Sequence, residues 1–241
     1  MRIYHIHIRK TAGTAVLSLL KSAFEKEQVC PIRSEIELNA KIQMEDRLKY
    51  IQQYSLVTGH FYNQGQNLKR THNFVVFVRQ PISRTVSSYN QIISDENDIF
   101  RRFILNKHMS EALLTPECAR EFRNGQTRQL VRNAGEEYDK LTPEKRIAIA
   151  TDFLQSSWFL GVQDIFELSY NLLSKKIGKE FVKNEAPKIN TEITAKGKKS
   201  KDLDSNILRI LYEINKEDLV LFENALKIFD HRVRDFIIKM F

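Results

Sequence analysis

The start of the chain carries two successive patterns of apolar residues. Between residues 2 and 8 the side chains alternate, with Tyr4 on one face and His5 and His7 on the other, as a β-strand requires. Between residues 16 and 24 the apolar positions recur at intervals of three and four, which is typical of a helix. The pattern therefore predicts a strand, a short loop and a helix.

Strands and helices continue to alternate along the chain. Further strands are predicted at residues 29–32, 55–58, 74–78 and 158–162, and helices at residues 35–53, from Pro81 onward and up to Ile177. The segment 74–78 is an unbroken run of β-branched and aromatic residues, so we expect it in the middle of a parallel sheet, covered on both faces. Pro81 suits the first turn of a helix, where its missing N–H would be unpaired anyway. The alternation predicts an α/β fold with a central parallel sheet flanked by helices.

The second half of the chain is predicted to be mostly helical. Residues 95–153 carry few strand signals, and their pattern breaks at Asn124-Gly125 and again before Pro143. We expect this stretch to form a cap on the side of the substrate.

The remaining segment combines a basic loop with amphipathic helices. Residues 184–204 lose apolar periodicity and hold four lysines within 196–201, which predicts a mobile basic loop. Amphipathic segments follow at residues 205–214 and 216–229, and a short one closes the chain. No internal repeat or linker is visible, so a single domain over residues 1–241 is the simpler interpretation.

Composition adds a charge argument and excludes several classes of protein. Hydrophobic residues at 42% and charged residues at 28% exclude wholesale disorder, collagen-like repetition and a coiled-coil rod. The net charge of +8 indicates an anionic partner, for which nucleic acid, an acidic sugar and a phosphorylated nucleotide all qualify. Cys30 and Cys118 support neither a disulfide framework nor a zinc site, and no group of potential ligands has metal-binding spacing.

The segment from Lys10 to Ala15 lies where a strand leads into a helix. Such a junction can bind an anion, because unpaired backbone N–H groups and the helix dipole both face it. Gly13 would let the backbone approach a ligand closely. A Walker phosphate loop would need two glycines and a lysine at its end, which argues against a kinase or NTPase. The alternative is an ordinary surface turn with an incidental lysine.

A second strand-to-helix junction follows the predicted central strand. Arg79 would emerge at the carboxyl edge of the sheet, where open α/β sheets bind ligands, and its guanidinium can grip a phosphate with two hydrogen bonds. Ser87, two helical turns later, could add a hydroxyl. The alternative is that Arg79 pairs with a carboxylate and Ser87 faces solvent.

Together, the two junctions resemble the nucleotide-binding motifs of a known family. Residues 6–15, Ile-His-Ile-Arg-Lys-Thr-Ala-Gly-Thr-Ala, resemble the 5′-phosphosulfate loop HIPKTAGTS of the carbohydrate O-sulfotransferases related to heparan sulfate 2-O-sulfotransferase and the chondroitin sulfotransferases. Arg79-Gln80-Pro81 with Ser87 resembles their 3′-phosphate motif, RDP with a serine eight residues after the arginine. Residues 58–61, 124–130, 159–162, 188–191 and 215–222 resemble the family's Gly-His, NxQTRxL, FVGL, asparagine-threonine and NxxDxxLY segments.

The resemblance implies a P-loop-like sulfotransferase fold and the donor 3′-phosphoadenosine 5′-phosphosulfate (PAPS), with no metal. Lys10 would stabilise charge on the leaving phosphate, the amides of residues 11–15 would hold the 5′-phosphate and sulfuryl oxygens, and Arg79 with Ser87 would hold the 3′-phosphate. The full set implied for donor binding is His7, Arg9, Lys10, Thr11, Ala12, Gly13, Thr14, Ala15, Arg79, Ser87 and Lys196.

Two further roles follow from the resemblance. His60 matches the histidine of the 2-O-sulfotransferase branch and is predicted to be the general base, because an imidazole titrates near neutral pH. A structural hydrogen-bonding role is the alternative. Arg128 is predicted to face the acceptor or the sulfuryl group, with a helix-capping or ion-pairing arginine as the alternative.

The chain departs from the family pattern at several positions. Arg9 replaces a proline and adds positive charge, Ala15 replaces a serine and removes a hydroxyl, and Gln80 replaces an acid. His7 stands where the 2-O-sulfotransferases carry a basic residue that can contact the donor. We therefore expect donor binding that is weaker than usual but retained.

Acceptor, location and competing functions stay open at this point. The net positive charge suits an acceptor sugar chain that already carries carboxylates or sulfates. A small glycoside, a lipid or a secondary metabolite is equally compatible with the donor motifs. No membrane span or signal peptide is visible, so we expect a cytoplasmic, bacterial enzyme, unless an N-terminal anchor has been removed. A nucleic-acid-binding module, which lacks any recognised motif here, and a nucleotide kinase are the alternatives.

Overall fold

A four-stranded parallel sheet lies at the centre of the structure. The computed structural model describes residues 1–179 and 203–238. The strands are β1 (Ile3–Ile6), β2 (Leu56–Gly59), β3 (Asn73–Val78) and β4 (Phe159–Val162), and their order across the sheet is β2-β1-β3-β4. All three pairings are parallel, so the four carboxyl ends lie at one edge. The predicted α/β class is confirmed, and β3 lies between two other strands as expected.

Helices and the loops that join them form the rest of the described chain. They are α1 (Gly13–Lys21), α2 (Glu35–Lys41), α3 (Arg47–Gln52), α4 (Gly65–Leu68), α5 (Pro81–Ser94), α6 (Arg101–Ile104), α7 (Met109–Leu114), α8 (Ala119–Phe122), α9 (Gly125–Asn133), α10 (Pro143–Ser156), α11 (Phe166–Lys176), α12 (Ser205–Ile214) and α13 (Lys216–Ile238). Short 3-10 helices lie at Lys26–Gln28, Met44–Asp46, Pro116–Cys118, Tyr138–Lys140 and Gln163–Ile165. The part after the sheet's third strand is therefore mostly helical, as predicted.

Both faces of the sheet are buried under helices. Val76 and Val78 pack into one hydrophobic cluster with residues of α9, α10 and α13, while Val75 and Phe77 pack into another with residues of α1 and α11. Because neighbouring side chains of a strand point to opposite faces, a strand covered twice must be apolar at every position. A third cluster joins α5, α6, α7, α8 and α12 away from the sheet.

Three predicted elements differ from the structure. The strand expected at residues 29–32 is a single bridge from Val29 to Leu56, because Pro31 has no N–H to continue the ladder. The helix expected at residues 35–53 is divided at Ile42, whose backbone is extended. The last two predicted helices form one helix that continues to Ile238, with no Gly or Pro to end it and an i,i+4 ion pair between Asp230 and Arg234 on its exposed side.

Part of the predicted donor site and basic loop falls outside the described residues. Lys196, most of the predicted basic loop and the 188–191 segment lie between the two described ranges. Within residues 1–179 and 203–238, none of the helices combines the length and the apolar character needed to cross a bilayer.

Helices α9 and α13 cap each other's first turns. The side-chain oxygen of Asn124 accepts hydrogen bonds from the backbone N–H groups of Glu217 and Asp218 at 3.1 and 3.3 Å. In return, the buried carboxylate of Asp218 accepts from the backbone N–H groups of Gln126 and Thr127 at 3.1 and 2.7 Å, and from the Thr127 hydroxyl. This exchange explains why the predicted break at residue 124 is followed directly by a helix, and it holds α9 in place.

We predict that Asp218→Ala lowers the free energy of unfolding by about 2–4 kcal/mol, because it removes a helix cap and leaves buried donors without an acceptor. Urea denaturation followed by circular dichroism measures this change. Asp230→Ala, which removes only an exposed i,i+4 pair, is the control and should cost less than about 0.5 kcal/mol. Equal losses in the two variants would contradict the mutual-capping account.

Candidate active site

The loop between β1 and α1 has an unusual backbone. Lys10 and Ala12 adopt left-handed conformations, with φ angles of 66° and 70°, and Asn124 is the one other such non-glycine residue in the described ranges. The Thr11 hydroxyl donates to the carbonyl of Ile8 at 2.9 Å and ties the loop together. A left-handed alanine costs roughly 1 kcal/mol or more, and such backbone strain clusters at functional sites. Alternating left-handed residues are also typical of anion-binding loops.

Gly13 is needed at the start of α1 for a reason that the sequence did not suggest. A Cβ atom there would lie 1.7 Å from Nε2 of His7, so the imidazole occupies the space beside the glycine. Packing therefore also requires a glycine at this position, and the approach of a ligand to its backbone stays a prediction. In the following turn, Thr14 is exposed and Ala15 is buried in the core.

Lys10 and Arg79, from the two junctions, meet at the carboxyl edge of the sheet. The guanidinium Nη1 of Arg79 donates to the backbone carbonyl of Lys10 at 3.2 Å, and its Nε is buried without a partner. Burial, followed by the neighbouring Arg79 and Arg9 charges, lowers the pKa of Lys10. Burial also lowers the pKa of Arg79.

Neither of these two cations has a counter-ion in the part of the chain that the structure describes. No carboxylate oxygen there lies within 4.0 Å of either one, and Asp164 accepts instead from the backbone N–H of Gln80 at 2.8 Å. Ser87 is a buried residue, and its hydroxyl makes no hydrogen bond to a described residue. The alternative of an Arg79 ion pair thus does not apply, and the electrostatics favour an anion at this edge.

Arg9 occupies a different environment from Lys10. Its guanidinium lies 2.6 Å from the Asp98 carboxylate and 3.8 Å from that of Glu121. Glu121 also pairs with the buried Arg84 at 3.6 Å. The charge that Arg9 adds is therefore compensated by carboxylates, and Arg9 links the loop to the helical cluster around α8 rather than adding a free charge for the donor.

His60 directly follows the end of β2, and a hydrogen bond defines which of its ring nitrogens carries the proton. Its Nδ1 lies 2.8 Å from the carbonyl oxygen of His7, and because a carbonyl can only accept, Nδ1 carries the proton. Nε2 then holds the lone pair, and it has no hydrogen-bond partner among the described residues. Burial, followed by the Arg9 charge, lowers the pKa of His60. The imidazole is therefore neutral at physiological pH and able to accept a proton.

Three histidines stack along this edge of the sheet. The ring of His7 lies 4.3 Å from that of His60 and 5.5 Å from that of His5, measured between centroids. Burial lowers the pKa of His7 well below its usual value and that of His5 to about 3. His7 is thus a neutral ring packed between His60 and Gly13, and its predicted contact with the donor stays a prediction.

Helix α9 contributes one side chain that the sequence analysis missed. The amide of Gln126 accepts from the backbone N–H of Arg79 at 2.9 Å and donates to its carbonyl at 2.8 Å. Arg128, on the same helix, binds Asp139 at 3.1 Å and stacks on Tyr138, so the structure takes the ion-pairing alternative for it. The sequence signal for Gln126 is its place in the 124–130 segment that resembles NxQTRxL, to which the sequence analysis assigned no role for this residue.

Metal binding has no candidate in the ranges 1–179 and 203–238. No group of three or more His, Cys, Asp or Glu side chains there is arranged to hold an ion.

Comparison with known proteins identifies one family. The family model described as the sulfotransferase family matches residues 1–225, a range that contains both junctions, His60 and helix α9. Among curated proteins, no match to the chain was found.

We predict that the stability of the protein falls as the pH drops below about 6.5, because His5, His7 and His60 have lowered pKa values in the folded state and the unfolded chain binds more protons there. Each such histidine adds up to about 1.4 kcal/mol per pH unit to the slope of the unfolding free energy against pH. Urea denaturation between pH 7.5 and pH 5.5 measures the slope. The slope should be shallower in His5→Phe, and a wild-type slope near zero would contradict the prediction.

Proposed function

The chain belongs to the sulfotransferase family, and we propose that it transfers the sulfuryl group of PAPS to a hydroxyl of a carbohydrate. His60 is the general base in this proposal. The observation that carries the proposal is that Lys10 and Arg79 lie together at the carboxyl edge of the sheet and have no carboxylate partner among the described residues. The Arg79 guanidinium donates to the backbone carbonyl of Lys10 at 3.2 Å.

The residues at this edge suit a donor with two anionic ends. Lys10 and the amides of the strained loop would hold the 5′-phosphosulfate, and Arg79 with the hydroxyl of Ser87 would hold the 3′-phosphate. Because the two cations lack carboxylate partners, a bound anion would remove their mutual repulsion. Two separate cations support a nucleotide with anionic groups at both its 5′ and 3′ positions over an adenylate that carries only a 5′-phosphate. The compensated charge of Arg9 and the packing of His7 make both residues structural supports of the loop in this proposal.

The chemistry asks for positioning, charge stabilisation and one proton transfer. The acceptor oxygen forms a bond to sulfur as the bond between sulfur and the 5′-phosphate oxygen breaks, and 3′-phosphoadenosine 5′-phosphate (PAP) leaves. By analogy with phosphoryl transfer, charge grows on the leaving phosphate, where Lys10 would stabilise it. The acceptor proton passes to Nε2 of His60, whose other nitrogen is held by the His7 carbonyl.

The acceptor side carries an aromatic ring and a free cation. Tyr62 lies two residues after His60, and the guanidinium of Arg132 lies 5.5 Å from the centroid of its ring. Arg132 makes no ion pair with a carboxylate in the described ranges. Aromatic rings bind sugar faces through apolar contact, and a free guanidinium binds a carboxylate or sulfate. Together with the net charge of +8, these residues support a sugar acceptor that is itself acidic.

We predict that His60→Ala lowers turnover roughly a hundredfold to ten-thousandfold while PAP affinity changes less than about twofold, because the imidazole serves the proton transfer and not the donor. Turnover is measured with labelled PAPS and a panel of acidic saccharides, and affinity by calorimetry. Because the pKa of His60 is lowered, the wild-type rate should persist below pH 6.5 before it falls. A variant that retains turnover would remove His60 from the mechanism.

We predict that Arg79→Gln weakens PAP binding roughly tenfold to hundredfold, because it removes charged hydrogen bonds to the 3′-phosphate. Binding of 5′-AMP, which lacks that phosphate, should change less than about twofold. Arg70→Gln, at an exposed position, is the charge-matched control and should leave PAP affinity at the wild-type level. Equal losses for PAP and 5′-AMP would assign Arg79 to a general electrostatic effect and contradict the proposed orientation.

A further inference from the structure

Helix α9 presents three buried amide side chains to the ends of three neighbouring strands. Gln126 donates to the carbonyl of Arg79 after β3, at 2.8 Å, and Gln129 to that of His7 after β1, at 3.3 Å. Asn133 donates to the carbonyl of Phe61, after β2, at 3.1 Å. The three amides thus reach the strands in the order in which these lie in the sheet, β3-β1-β2.

The spacing of the amides matches the spacing of the strands. Three residues of an α-helix rise about 4.5 Å and four rise about 6 Å, while neighbouring strands lie about 4.8 Å apart. Positions 126, 129 and 133 also share one face of the helix. A helix laid across the carboxyl edge can therefore contact one strand end after another with side chains three and four residues apart.

Two of these contacts act on the proposed donor and base residues. Gln126 holds both the N–H and the C=O of Arg79, which fixes the direction in which the guanidinium leaves the backbone. Gln129 shares the His7 carbonyl with Nδ1 of His60. The group that orients the base is therefore itself held by α9.

We propose that Gln126 and Gln129 are positioning residues for sulfuryl transfer, an inference that rests on the proposed function. Gln126 orients Arg79 toward the 3′-phosphate, and Gln129 orients His60 through the His7 carbonyl. Neither touches the donor; each acts through the backbone of another residue. Because both belong to one rigid helix, α9 sets the separation between the donor cations and the base.

A purely structural role makes different predictions. Satisfying buried carbonyls stabilises the fold, and its loss would lower the free energy of unfolding in both variants alike. It would leave the affinity and turnover of the folded molecules unchanged. A positioning role instead divides the effects between donor affinity and proton transfer.

The experiment compares Gln126→Met and Gln129→Met, which keep the side-chain length and remove the hydrogen bonds. Gln126→Met should weaken PAP binding about tenfold and speed hydrogen exchange at the backbone amide of Arg79, which loses its acceptor. Gln129→Met should keep PAP affinity within about twofold and lower turnover about tenfold. It should also move the acid limb of kcat/KM to lower pH, because a less firmly held His60 loses the His7 hydrogen bond that raises its pKa. Gln126→Asn, whose shorter amide can be hydrated, is the second variant should Gln126→Met not fold, and the same loss of affinity is expected.

Thr142→Ala is the control, because it removes the cap of α10, a helix packed on α9, without touching the strand ends. It should lower stability by about 1 kcal/mol and leave affinity, turnover and Arg79 exchange unchanged. The inference would be overturned if the wild type binds PAP and transfers sulfate but the glutamine variants do so equally well. In that case PAP affinity, turnover and hydrogen exchange at Arg79 would all stay at wild-type values. A wild type that binds no PAP would instead overturn the proposed function, so the two failures are distinguishable.

Discussion

Parallel strands that end together create a need for hydrogen-bond partners, and the arrangement of this site depends on how that need is met. The backbone carbonyls of Arg79, His7 and Phe61 lie just beyond β3, β1 and β2 and face α9. Each buried carbonyl left without a donor would cost about 1–3 kcal/mol. The amides of Gln126, Gln129 and Asn133 supply those donors. The same hydrogen bonds hold the backbone of Arg79 and the His7 carbonyl that contacts the His60 ring. The stability of the fold and the geometry of the site therefore depend on the same contacts.

The charges around this edge fall into two groups with different roles. Arg9 and Arg84 face Asp98 and Glu121, and this buried network is electrically balanced. Lys10 and Arg79 have no such partners in the described chain, and burial disfavours the charge on each. Buried charges without partners are costly, which is why an arrangement of this kind favours a bound anion. Through Arg9 the balanced network anchors the loop, and in our proposal Lys10 and Arg79 bind the anionic donor.

Local patterns predicted the elements but not the long-range contacts. The run 74–78 predicted a central strand and Pro81 a helix start, because burial on two faces and ring geometry are local constraints. Helix α12 begins and ends where its periodicity did. The pairing of Arg9 with Asp98 joins residues 89 positions apart, and no local pattern reveals it. The requirement for Gly13 depended on the His7 ring, and the role of Gln126 on a strand end 47 residues away.

The most direct test of the anion site is a crystal structure of the protein with PAP. The account predicts that one PAP molecule spans the carboxyl edge of the sheet, with its 3′-phosphate against the guanidinium of Arg79 and the hydroxyl of Ser87, and its 5′-phosphate beside Lys10. A nucleotide bound elsewhere, or crystals in which an oligonucleotide but not PAP occupies the basic edge, would contradict it.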